Sequence, residues 1–178
     1  MKKLFLFTTI LSMALLLHAQ NSPTNPVDEM FDKYSRRDGF TVVSISSKMF
    51  SMLANMDTEN KDQDNLMSRL KSIRILSVED SLLNNNLNFY DELNKKFAFA
   101  TYEELMVVKE GRDVTKFLIK QTGNYISELL VISGGPDGNS LISIRGEFSL
   151  KNISDMSKDM GMDELKSLEG VDKKKIKK

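Results

Sequence analysis

Four apolar, β-branched runs crowd the last third of the chain: Leu105 to Lys109, Val114 to Lys120, Ile126 to Ile132 and Leu141 to Phe148. Gly111-Arg112-Asp113, Thr122-Gly123-Asn124 and Gly134-Gly135-Pro136-Asp137-Gly138 part them, and all three are turn compositions. Strands joined by such short turns pair with their chain neighbours, so the segment predicts a four-stranded antiparallel meander. Gly146 falls inside the last run, where a bulge or a close backbone approach is the usual reason for a glycine. Alternation in the second run places Phe117 and Ile119 on one face and Leu118 on the other. Lys116 and Lys120 share the Leu118 side, so Phe117 and Ile119 are expected to be buried and Leu118 partly wet.

Upstream, the apolar spacing alternates between the helical and the strand period. Pro26 suits a first helical position, and Val27, Met30, Phe31 and Tyr34 share one face of the helix it opens, which Gly39 ends. Phe40 to Ser46 reads as a strand. Ser47 starts a second helix with Met49, Phe50, Met52, Leu53 and Met56 as its apolar side, and 57–65 is polar throughout, an exposed loop. Leu66, Met67 and Leu70 suggest one or two helical turns, and Ile73 to Val78 a second strand. The longest helix is expected from Asp80 to Ala98, along a stripe of Leu83, Leu87, Tyr90, Leu93 and Phe97 that Asn84, Asn85 and Asn86 interrupt. Ser149 caps a closing helix with Leu150, Ile153, Met156 and Met160 towards the sheet. The result is an α+β domain: two strand-helix units, a four-stranded antiparallel meander and a C-terminal helix, with the helices on one face of the sheet.

The N-terminus changes the picture of where this domain works. Met1-Lys2-Lys3, the apolar run Leu4 to Leu17 and then His18-Ala19-Gln20 have the charged, apolar and small-residue parts of a secretory signal. The run is 14 residues long, whereas a membrane-spanning helix needs about 20. Cleavage is expected between Ala19 and Gln20, giving an exported protein, periplasmic or extracellular, with no membrane span once the signal is removed; an uncleaved anchor is the other reading. The expected organisation is a signal at 1–19, a polar leader at 20–27, one domain at 28–161, and a flexible tail at 162–178 ending in lysines. Basic and acidic residues balance at 25 each, which gives no reason to expect nucleic acid as a partner.

Absences then exclude most chemistry. The chain has no Cys and no Trp, and its one His is His18, inside the signal. Disulfides, thiol nucleophiles, a Ser-His-Asp arrangement and zinc or haem sites built on nitrogen or sulfur all fall away. Carboxylates remain, but Glu79-Asp80, Asp91-Glu92 and Glu103-Glu104 are adjacent pairs whose members point different ways in regular structure. Read as an EF-hand loop from Asp57, the acidic stretch to Asp64 has Lys61 at a ligand position, Asp62 where glycine belongs and Ser68 at the twelfth. Gly134 to Gly138 lacks the Lys-Ser/Thr ending of a phosphate loop and lies between strands. The methionine stripes are expected to be core rather than a binding groove. Asp80-Ser81-Leu82 fits a three-residue O-glycosylation pattern of some Gram-negative periplasmic systems. No residue is assigned a catalytic, cofactor-binding or metal-ligating role.

The meander sequences Tyr102 to Val108, Phe117 to Lys120, Ile126 to Ile132 and Ile142 to Gly146, the segment Leu150 to Ser154, and the strand Lys71 to Leu76 resemble one family. Its members are exported proteins of Gram-negative bacteria that carry a domain of unknown function and are often labelled lipoproteins. The resemblance spans roughly 28–161 and implies a compartment and a fold but no active site; no lipid-bearing cysteine follows the signal here. The expectation is a non-enzymatic envelope protein that binds another envelope protein or a surface ligand. The alternatives are a carboxylate-based hydrolase acting on a glycan or peptide, and a structural or stress-related envelope component. A solvent-exposed apolar groove favours the first, and two carboxylates converging in a deep cleft the second.

Overall fold

A computed structural model describes residues 25–56, 66–78, 80–96, 99–149 and 151–152, with backbone only for Met56 and Ser81. The expected signal and cleavage site, the 57–65 loop, Leu150, Ile153, Met156, Met160 and the lysine tail lie outside the described residues. Helix α1, Pro26–Tyr34, starts as its sequence dictates: the Asn25 side chain accepts from the Val27 amide at 3.0 Å, and Pro26 occupies the first turn. Gly39, at φ 82°, turns the chain into β1, Phe40–Ser46. Then come α2, Ser47–Met56, α3, Leu66–Arg69, and β2, Leu70–Val78.

The stretch expected to be one long helix is two short ones, α4, Ser81–Asn84, and α5, Phe89–Lys95. The reason is a tertiary one. Buried Asn139 accepts from the Phe89 amide at 2.8 Å and donates to Asn84 Oδ1 at 3.0 Å, to Gly135 O at 2.9 Å and, at a longer 3.3 Å, to Leu87 O. Asn88 caps the new helix through the Asp91 amide. Asparagines prefer such local bonds to a helical interior, so the break falls among them.

The meander follows as read: β3, Glu103–Glu110, β4, Asp113–Thr122, β5, Tyr125–Gly134, and β6, Ser140–Phe148. Gly111 and Gly123, at φ 60° and 61°, make the first two turns. The six-stranded sheet has the order β1-β2-β6-β5-β4-β3, and every pairing is antiparallel. Ser149 and Asn152 cap reciprocally at the start of the helical residues 151–152, Ser149 N donating to Asn152 Oδ1 at 2.9 Å.

Helices cover both faces of the sheet, which corrects the one-face expectation. On one face, Phe50 of α2 and Leu66 and Met67 of α3 join Ile73, Phe117, Ile119, Val131 and Ile144. On the other, Val27, Met30, Phe31 and Tyr34 of α1 and Phe89 and Leu93 of α5 join Leu76, Leu118, Leu130, Ile132 and Leu141. Phe117, Leu118 and Ile119 are 2%, 3% and 1% exposed, so the second side is as dry as the first. The flanking lysines do not mark a wet face, because each lays its stem along the sheet and ends over an aromatic ring. Lys116 Nζ is 5.2 Å from the Tyr90 centroid and Lys120 Nζ 4.1 Å from that of Tyr102.

Gly146 has the role its position suggested. The β2–β6 register shifts between Leu70 and Ser72, and a Cβ on Gly146 would stand 2.6 Å from the Arg69 carbonyl oxygen and 3.0 Å from the Leu70 Cα. Gly146→Ala is expected to cost about 1–3 kcal/mol as an overpacking change against backbone. A urea melt measures it as a lower midpoint at unchanged slope.

Candidate functional site

The face beneath α1 changes character along its length. Its inward positions are apolar near Leu76, Ile132 and Leu141, and charged at the other end. Pairing sets Lys120 against Glu128 and Glu128 against Arg145. The buried Glu128 carboxylate accepts from Ser143 Oγ at 2.9 Å, Arg145 Nε at 2.9 Å and Tyr102 Oη at 2.9 Å, with Lys120 Nζ at 3.4 Å. Arg145 Nη1 continues to Asp28 Oδ1 at 2.9 Å, which also takes Arg74 Nη1 at 2.9 Å. Arg74 lies over the Phe31 ring at 4.0 Å and reaches Asp32 at 3.5 Å. Three carboxylates thus meet three cations, and the first turn of α1 is tied to the middle of the sheet.

Burial alone would raise the Glu128 carboxyl. The Arg145 charge and the bonds from Ser143, Arg145 and Tyr102 outweigh it and hold the group below the usual carboxylate range. Burial, then the Glu128 charge and hydrogen bond, push the Tyr102 phenol well above its ordinary value. Ser143, Arg145, Tyr102 and Lys120 thus surround the Glu128 carboxylate, and their charges and hydrogen bonds favour its ionised form. Sequence reading missed this cluster. Its signal was a charge inside each of two adjacent apolar strands, Glu128 in Ile126–Ile132 and Arg145 in Leu141–Phe148.

The described members of the adjacent acid pairs do not converge, and Glu79 lies outside the described residues. Asp80 caps α4 through the Leu82 amide at 2.8 Å, Glu92 is held by Lys33 at 2.7 Å and Tyr34 at 2.8 Å, and Glu104 by Lys116 at 2.7 Å. A polar cleft of about 630 Å³ opens between α5 and the β5–β6 turn, lined by Lys33, Asn86, Asn88, Asp91, Glu92, Arg112 and Pro136 among others. Asp91 and Glu92 both line it, and Glu92 is ion-paired there with Lys33 at 2.7 Å. Among the described residues no group of three or more His, Cys, Asp or Glu is placed to hold a metal, and the Asp57–Asp64 stretch lies outside them. Gly134 to Gly138 joins β5 to β6 as a turn, and Asp137 N donates to Asp113 at 3.0 Å.

The apolar side of α2 corrects another expectation. Among its described side chains Phe50 alone enters the core; Met49, Met52 and Leu53 are 48%, 54% and 39% exposed, and Val43 of the neighbouring β1 is 41% exposed. The helix lies over one corner of the sheet, with its main contacts to β1, β2 and α3, and Phe50 seats it there. Met30, by contrast, is core. Among the described residues no helix is long and apolar enough to cross a membrane.

The family model described as Domain of unknown function (DUF4252) matches residues 34–156. No curated protein and no solved structure matches the chain.

Proposed function

The chain belongs to that family of unknown function, and on this premise we propose that it is an exported, non-enzymatic binding domain that meets a partner in the cell envelope through α2 and β1. The observation that carries this reading is the exposed group of Met49, Met52, Leu53 and Val43 on α2 and β1; the other exposed large apolar side chains among the described residues, Leu82, Val108 and Tyr125, fall singly on α4, β3 and β5. Methionine side chains are flexible and polarisable, which suits a contact surface, and clustered exposed apolar side chains mark interaction sites more often than scattered ones. The Asp28, Glu92, Glu104 and Glu128 carboxylates are engaged in ion pairs, which weighs against a hydrolase built on them.

A photoreactive residue in place of Met52, in cells that export the chain, tests this. Adducts at position 52 and none at Lys109, an exposed residue of the opposite edge strand, are the expected result. No adduct at position 52 would overturn the docking surface.

A further inference from the structure

Sheet edges present unpaired N–H and C=O groups, and proteins usually blunt them with charge, proline, bulges or a covering element. The two edges of this sheet are treated differently. β3 carries Glu103, Glu104, Lys109 and Glu110 and has an irregular register between Glu104 and Met106. β1, at the other end, reads Phe-Thr-Val-Val-Ser-Ile-Ser: no charge, no proline, and an unbroken register against β2. Thr41, Val42, Val43 and Ile45 are β-branched. Its composition is that of an interior strand, yet it stands at an edge among the described residues, beside the exposed methionines of α2.

We propose that a second copy of this chain adds its own β1 to this edge, antiparallel about a two-fold axis at Val43, so that two sheets continue as one. This rests on the reading of β1 and α2 as the docking surface and names the partner. The axis sets Val42 against the partner's Ser44, Thr41 against the partner's Ile45 and Phe40 against the partner's Ser46. Every such pair is neutral and joins residues of the same sheet face. The charges nearest the strand are opposite in sign, Asp38 before it and Lys48 after it. Both are exposed, and neither has an ion-pair partner among the described residues. Antiparallel self-pairing brings each Asp38 towards the partner's Lys48 at both ends of the ladder, while Arg37 is turned over the Tyr34 ring at 5.2 Å. Because α2 follows β1 directly, Met49, Met52 and Leu53 of both copies flank the junction on one face.

Sedimentation velocity of the purified exported protein over a concentration series tests this, with circular dichroism confirming the fold of each variant. The wild type is expected to pass from monomer to dimer. Val43→Lys, which sets two ammonium groups against each other at the axis, is expected to weaken the dimer by at least about tenfold. Lys48→Glu alone is expected to weaken it, and the double variant Asp38→Lys/Lys48→Glu to restore it. A monomer at every concentration, a dimer indifferent to Val43→Lys, or a charge swap without recovery would each overturn the proposal. A monomer together with position-52 adducts to a different protein removes the second copy but leaves the docking surface in place; absent adducts remove the surface itself.

Discussion

Leu118→Ala is expected to destabilise the protein by about 2–5 kcal/mol, within the range of Phe117→Ala at about 3–5 kcal/mol. The two side chains point to opposite faces of β4, and both faces are closed. Leu118 packs with Leu130, Ile132 and Leu141 under α1 and α5, and Phe117 with Val131 and Ile142 on the other side. Each truncation leaves a void that neighbouring strand residues cannot fill, because the sheet ladder holds their backbones in place. Denaturant melts decide it. A Leu118→Ala loss below about 1 kcal/mol would mean that α1 and α5 do not stay on the sheet.

Glu128→Ala is expected to cost about 3–5 kcal/mol, because it leaves the half-buried Arg145 and Lys120 without their shared carboxylate. Glu128→Gln keeps the shape and removes only the charge, which separates the ion pair from the packing. The pH dependence has a definite sign. The folded state holds this carboxyl below its ordinary 4.5, so the unfolded chain binds the proton more readily. Its contribution is full above about pH 4.5 and is lost as pH falls through the lower folded value. Tyr102 acts on the alkaline side: its pKa is raised above 10.0, so its contribution is full below that pH and is lost as pH rises through the folded value. Glu128→Gln should flatten the acid arm of a stability–pH curve and Tyr102→Phe the alkaline arm. An unchanged acid arm in Glu128→Gln would show that the cluster does not stabilise the fold.

What could be read in the chain was what local chemistry decides. Pro26 at the start of α1, the glycine turns of the meander, the tight approach at Gly146 and the extent of β1 each depend on a few neighbouring residues, and each stands where the sequence placed it. What escaped depends on distant partners. A stripe from Leu83 to Phe97 reads as one helix, yet Asn139 binds Phe89 from 50 positions away and opens the chain there. Lys116 and Lys120 look like markers of a wet face until Tyr90 and Tyr102 are brought over them. The methionines of α2 have core spacing, but the sheet ends beneath them, and spacing carries no record of where a sheet ends. Glu128 and Arg145 were visible as charges in apolar strands, and only the register shows that they face each other.

If β1 is an edge built to be occupied, amide hydrogen exchange of the purified protein reports it directly. Half of the amides of segment 40–46 point away from β2. With rising protein concentration these are expected to gain protection, while segment 103–110 on the charged opposite edge stays unchanged. Equal and concentration-independent exchange at both edges would contradict the claim.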